Sequence, residues 1–280
     1  MNTIEHGWVP RTSCTSDCVC LNLGYSARRT VGALRAALRM STALLVLLLG
    51  PLLTLPLPGQ LGATRLYCRL MLRCLGIRLV VEAEPVRNPR GILVVANHIS
   101  WVDVFAVGAV IPGSFVARAD LISWPGIGLI ARLARVIAID RSDLRALPSV
   151  VATVTDRLRH GQTVIAFPEG TTYCGTHHGR FRPAMFQAAI NADRAIQPLQ
   201  LSYRYPDGTA CAATAFLGQD RLWASIRRVV SAPRIVVVVR LASLHLPCAP
   251  RAQLAQDCDP GHRPTVRVRH QSARRLRMAS

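Results

Sequence analysis

From residue 77 onward the chain alternates short apolar runs rich in β-branched residues with stretches of helical period. The runs fall at 79–82, 92–95, 114–116, 136–139, 163–167, 196–201 and 235–239, and each has the length and bounding turn residues of a strand. Between them, 101–110, 127–134, 148–160 and 184–191 carry apolar residues at helical spacing. The third is the clearest, because Pro148 lies in its first turn and Gly161 just past its end. Such alternation predicts an α/β fold over 77–241, a mixed sheet flanked by helices.

The first third reads differently. Residues 1–32 are polar and without period and predict a flexible lead. Arg35 and Arg39 then precede an uncharged run from Met40 to Pro58 whose length approaches the ~20 residues needed to cross a bilayer. Pro51, Pro56 and Pro58 end it where a secretory signal would have a small-residue cleavage site. Arginines flank the run on both sides, so charge selects no orientation, and a shallow hairpin is the expected arrangement. Its second arm, 63–76, carries Arg65, Arg69 and Arg73 on one stripe with Leu66, Leu70, Met71, Cys74 and Leu75 off it, the pattern of an interfacial helix. The competing reading of that stripe is the solvated face of a core helix. Residues 33–76 are therefore expected to be a membrane-associated two-helix segment. Residues 242–280 are arginine-rich without sustained period and read as a disordered basic tail.

The chain holds 34 basic residues against 15 acidic for a formal charge of +19, and every basic residue is arginine. Such a field attracts phosphate as nucleic acid, anionic membrane lipid or phosphorylated small molecule. No stacking aromatics interleave the arginines, which argues against a nucleic-acid platform. The 9 cysteines show no repeated pair spacing, so a disulfide framework is not expected. Cys14, Cys18 and Cys20 cluster, but no paired second half follows them in the sequence, and His177 and His178 after Cys174 read as polar loop residues. No metal and no cofactor are expected.

Candidate chemistry concentrates in Asn97-His98-Ile-Ser-Trp-Val-Asp103, which follows one strand and opens a helix. This is the end of a strand, where open α/β sheets place ligand crevices. Five positions on a regular helix separate two side chains by about 140°, so His98 must lie in the turn for Asp103 to reach it. The carboxylate would then fix the imidazole tautomer and free the other nitrogen to take a proton from a hydroxyl. Ser100 and Asp103 also fit a capping box, which gives the aspartate a purely structural alternative. Arg141 closes another strand with a guanidinium suited to bidentate phosphate recognition, and Phe167-Pro-Glu-Gly-Thr-Thr172 closes a third with a turn that exposes backbone amides.

These blocks, in this order and with the segment around Pro198, resemble the phospholipid acyltransferase family that includes the 1-acyl-glycerol-3-phosphate acyltransferases. The resemblance covers about 77–241. It implies His98 as general base with Asp103 as its partner, and Asn97 as part of the same block. It further implies Arg141 at the acceptor phosphate, Glu169, Gly170 and Thr171 in the acceptor site, and Pro198 in a hydrophobic fourth block. Thr172 stands where many glycerophosphate-type members have arginine. That form, with the segments at 115–120 and 124–128, looks like the branch that completes ornithine lipids. The implied activity is transfer of a fatty acyl group from acyl-CoA or acyl carrier protein to a lysolipid hydroxyl, at the cytoplasmic face of the cell membrane. The acceptor would be 1-acyl-sn-glycerol-3-phosphate, giving phosphatidic acid, or alternatively a lyso-ornithine or other lysolipid. A basic, membrane-anchored lipid-binding protein that keeps the fold without turnover is the non-enzymatic alternative.

Overall fold

The computed structural model describes residues 10, 12–15, 18, 29–51, 59–82, 90–119, 136–140, 143, 145–218 and 220–261. The expected helix at 127–134, the segment at 124–128, Cys20 and Arg141 lie outside them. Two helices lead, α1 (Arg29–Leu48) and α2 (Gln60–Cys74). Then follow β1 (Ile77–Glu82), β2 (Leu93–Ala96), α3 (Asp103–Gly108), β3 (Ser114–Arg118), β4 (Ile137–Ile139), α4 (Leu147–Arg159) and β5 (Val164–Ala166). The last five elements are α5 (Ala184–Ala192), β6 (Ile196–Arg204), α6 (Leu222–Ser231), β7 (Ile235–Leu241) and α7 (Arg251–Cys258).

The seven strands form one sheet in the order β1-β7-β6-β2-β5-β3-β4, in which only β6 and β7 pair antiparallel. Every residue of β2 is buried, as expected of a parallel strand covered on both faces. Alternation along the strands divides the core. Val94, Ala96, Ile165, Leu199, Leu201 and Val237 face one cluster with Met71 and Leu72 of α2, Val107 of α3 and Val229 of α6. Leu93, Val95, Val164, Ala166 and Ile196 face a second cluster with Val154 of α4, Phe186 of α5 and Leu254 of α7. The sheet is thus a middle layer between two helical layers. Burying each of the Val, Leu, Ile, Met and Phe side chains in these clusters contributes about 1.5–3 kcal/mol.

Three sequence expectations are corrected. The lead is not featureless: α1 begins at Arg29, and Cys14 is only 8% exposed within the first core cluster. The tail is ordered at least to residue 261: α7 buries Leu254, Ala255 and Cys258, and the Asp259 carboxylate accepts bonds from the amides of Phe181 and Gly261. A helix of eight residues with three buried positions is too short to leave a period in the sequence, and Cys14 is held by contacts far away in the chain. The third correction concerns α6, which the strand-and-helix reading leaves out. Its buried positions are Ser225, Val229 and Val230, so a polar residue interrupts the apolar face.

α1 docks on the far edge of the sheet through Arg39, whose guanidinium donates to the carbonyls of Val230 at 3.1 Å and Ala232 at 2.7 Å. Its other side is open, with Leu38, Leu44, Leu45 and Leu48 between 56% and 67% exposed. Among the described residues no helix is long and apolar enough to cross a membrane.

Candidate active site

The antiparallel β6–β7 pair brings the C-terminal ends of β2, β5 and β6 and the N-terminal ends of β1 and β7 to one edge of the sheet. His98 lies there, two residues beyond β2, in a turn that precedes α3. Its Nδ1 is 2.8 Å from Asp103 Oδ2. Asp103 is fully buried, and the same oxygen accepts from the amides of Ile99 at 2.7 Å and Ser100 at 2.9 Å, while Oδ1 accepts from the Tyr203 hydroxyl at 2.6 Å. Half of the capping box is thereby realised, since Asp103 reaches back to the Ser100 amide. The Ser100 hydroxyl instead accepts from the amide of Val102.

Four donors compensate one buried carboxylate, which is how a charge is tolerated there. A carboxylate only accepts, so Nδ1 carries the hydrogen and Nε2 keeps its lone pair. Burial, followed by the charge of Asp103, raises the Tyr203 phenol well above its ordinary value, so it stays a donor. The His98 ring is stacked on Phe167, centroids 4.1 Å apart and planes within 12°, and its side chain is 17% exposed. The imidazole is therefore clamped on one face and at one nitrogen, with a small opening to the outside.

Glu169 braces the turn from behind. It is 3% exposed; Oε2 accepts from the His98 amide at 2.6 Å and Oε1 from the Gly179 amide at 3.0 Å. Burial pushes its carboxyl up to about 8, against the opposing pull of those two amides. Asn97, also fully buried, ties β2 to β6: its Nδ2 donates to the carbonyl of Leu201 at 3.0 Å and its Oδ1 accepts from that residue's amide at 2.7 Å. Gly170 closes the turn at φ +75°, where an L side chain is strained, and a Cβ there would lie 2.7 Å from Pro10 Cγ. Thr171 is half-buried beside it. Thr172 turns its hydroxyl to the carbonyl of Phe216.

The structure thus brings His98, Asp103, Asn97, Glu169, Gly170 and Thr171 to one strand-end cluster. Pro198 belongs to β6, level with Val95 in the sheet. Tyr203 is a member the sequence reading misses. It ends the row Leu199, Leu201, Tyr203, buried positions two apart on one strand face, and a polar-tipped aromatic closing an apolar row at a strand end was the available signal.

A second feature lies at the same sheet edge. Arg39, Arg69, Arg73, Arg78 and Arg234 line a cleft of about 710 Å³ with Gly76, Ile77 and Leu79. Arg39 lies directly over Gly76, where a Cβ would fall 2.1 Å from its guanidinium. Burial, then Arg35 and Arg234, hold Arg39 below the ordinary arginine value. None of the five is ion-paired among the described residues. β1 is three strands from β2, about 14 Å at the usual strand spacing. The expected stripe is accordingly divided: Arg69 and Arg73 enter the cleft, whereas Arg65 donates to the carbonyl of Val110 at 3.2 Å.

A layered α/β fold with a hydrogen-bonded His–Asp pair at its strand ends is an arrangement able to take a proton from a bound hydroxyl, and known proteins resemble this chain. The Acyltransferase family model matches residues 78–202. The chain is 36% identical over 171 residues to the 1-acyl-sn-glycerol-3-phosphate acyltransferase of Neisseria gonorrhoeae, covering 60% of this chain and 66% of that one. It is 33% identical over 186 residues to the lyso-ornithine lipid O-acyltransferase of Pseudomonas aeruginosa, covering 66% and 70%. The crystal structure of the 1-acyl-sn-glycerophosphate acyltransferase of Thermotoga maritima superimposes with a TM-score of 0.62 over 83% of this chain and 93% of that one; at 19% identity this likeness speaks to the fold. The chain belongs to the acyltransferase family. The matched segments span about two thirds of the length of the Neisseria relative.

Proposed function

We propose that this chain is a membrane-associated O-acyltransferase that moves a fatty acyl group from acyl-CoA, or from an acyl carrier protein thioester, to the free hydroxyl of a lysolipid. The observation that carries this reading is the contact of His98 Nδ1 with a buried, four-fold hydrogen-bonded Asp103 at 2.8 Å, which assigns the ring hydrogen to Nδ1 and leaves Nε2 as the base. Nε2 takes the proton of the acceptor hydroxyl as its oxygen attacks the thioester carbonyl carbon. The tetrahedral intermediate collapses with loss of thiolate, and the imidazolium returns the proton to sulfur. Asp103 stabilises the imidazolium throughout, and Phe167 and Glu169 hold the ring and its backbone still.

The proposed acceptor is 1-acyl-sn-glycerol-3-phosphate, giving phosphatidic acid, with Arg141 meeting the phosphate through a bidentate fork. A lyso-ornithine lipid is the second reading. It is favoured by Thr172, whose hydroxyl bonds to the Phe216 backbone where the glycerophosphate pattern has a guanidinium, and by the similarity to the Pseudomonas enzyme. Membrane association is supported by the exposed leucines of α1 and the arginine cleft beside them, apolar contact for acyl chains and guanidiniums for anionic headgroups. The proposed location is the cytoplasmic face of the cell membrane, where acyl-CoA is available and long-chain lysolipid resides. The test is incubation of membranes carrying the chain with labelled acyl-CoA or acyl carrier protein and a panel of lysolipids, with products identified by mass. Labelled phosphatidic acid supports the first acceptor and labelled ornithine lipid the second. Transfer to neither acceptor from either donor would overturn the reading.

A further inference from the structure

Cys14, Cys18, Cys174 and His177 have no part in the proposed chemistry, yet the fold assembles them. Their three sulfurs and one ring nitrogen all lie within 4.8 Å of one another. Around a tetrahedral zinc at its usual ~2.3 Å bond length, sulfur ligands sit about 3.8 Å apart, so the four atoms need only a small inward movement to close on an ion. The ligands come as two close pairs, Cys14-x3-Cys18 and Cys174-x2-His177, from segments 160 positions apart. The second half that the sequence lacks near Cys14 is supplied by the loop after β5, including the histidine that reads as a loop residue.

The surroundings suit a thiolate–imidazole centre. Cys14 and Cys174 are buried at 8% and 4% exposure, while His177 closes the set from the solvent side. Polar groups already face the sulfurs: the Cys174 amide donates to Cys14 Sγ at 3.4 Å, and the Thr176 hydroxyl, which can donate to a thiolate, lies 2.9 Å from Cys174 Sγ. His177 Nδ1 is 3.4 Å from Cys174 Sγ, so it is the nitrogen turned toward the cluster. Hydrogen bonds to ligating atoms are the usual support of a structural metal. Three thiolates and one imidazole select zinc over the hard, oxygen-seeking cations, and four protein ligands leave no open coordination position.

We propose that Cys14, Cys18, Cys174 and His177 form a structural zinc site that staples the N-terminal lead to the loop carrying the walls of the active site. Binding displaces three thiol protons to solvent and leaves a complex of single negative charge. The loop so held contains Glu169 and runs on from Phe167, and its Tyr173 amide donates to the His98 carbonyl at 2.8 Å. Pro10, at the other end of the staple, lies against Gly170.

The test uses the full chain without a histidine tag, purified without chelator, with metal content measured by mass spectrometry. One zinc per chain is expected. Chelation followed by Co²⁺ alone should give thiolate-to-cobalt charge-transfer absorption. Cys14→Ser, Cys18→Ser, Cys174→Ser and His177→Ala should each lose stoichiometric zinc, whereas His177→Cys, which restores four ligands, and Cys248→Ser, at an exposed cysteine elsewhere, should keep it. The wild-type cobalt spectrum decides the matter even where a serine variant folds poorly. Zinc no higher than in a variant lacking all four ligands, no charge-transfer band, or a disulfide joining two of these cysteines would each overturn the proposal.

Discussion

Two regions at the same edge of the sheet are built on opposite principles. Around His98 the buried polar side chains have fixed partners and Nε2 of His98 is left for substrate: Asp103 takes four hydrogen bonds, Glu169 two, Asn97 two, and all three residues are at most 3% exposed. Three strands along the same edge, the cleft and the helices beside it show the reverse, with leucines of α1 more than half exposed and arginines that have no carboxylate partners among the described residues. The first region is complete within the chain, as a preorganised site must be, since any freedom of the base reduces the rate. The second presents apolar side chains and guanidiniums outward, toward a membrane on the proposed function. On the proposed function, the contrast separates two roles, chemistry in the first region and location in the second.

Replacing Asp103 should break this contrast most severely. Asp103→Ala leaves the amides of Ile99 and Ser100 and the Tyr203 hydroxyl without their acceptor and removes the partner of the imidazolium. Loss of activity by about 10²–10⁴-fold is expected, together with a lowered melting temperature, because each orphaned buried group costs about 1–3 kcal/mol. Next in size is the outward-facing region. Leu44, Leu45 and Leu48 changed together to Ser should reduce partition onto anionic phospholipid vesicles by about 10³-fold or more, since each leucine buried in lipid contributes about 1.5–3 kcal/mol. They are already exposed, so the melting temperature in buffer should not move. A large loss of stability instead would return α1 to the structural core.

Tyr203→Phe is the finer cut. It removes one donor from Asp103 and keeps the packing, so a stability loss of about 1–3 kcal/mol and a lowered kcat with an unchanged acceptor KM are expected. Circular dichroism melts with steady-state assays would check both. The smallest effect concerns pH. Glu169 is raised by burial from an ordinary 4.5 to about 8, so the folded state holds its proton more tightly than the unfolded chain does. The resulting stabilisation is complete below the ordinary carboxylate value and is lost as pH rises toward 8. Melting temperatures of the wild type should therefore fall over that interval relative to Glu169→Gln; parallel curves would contradict the assignment.

Much of the His98 turn is legible because its logic is local. His98 and Asp103 are five positions apart, and the turn-before-helix geometry follows from helical period. All seven strands likewise announce themselves by β-branched runs. What escapes the sequence is long-range. Glu169 has an acidic side chain in an exposing turn, which reads as an acceptor contact, yet its oxygens are both taken by backbone amides 71 and 10 positions away. Tyr203 reaches Asp103 across 100 positions. α7 and the docked Cys14 follow the same rule, since each is ordered by partners that no local window contains.

The central claim is that His98 Nε2 deprotonates the acceptor. Its most direct test is single-turnover acyl transfer from labelled acyl-CoA by His98→Ala, beside wild-type protein matched in folding by circular dichroism. If the account holds, product formation falls by about 10²–10⁴-fold while lysolipid still binds. A His98→Ala protein that forms labelled product at the wild-type rate would contradict it.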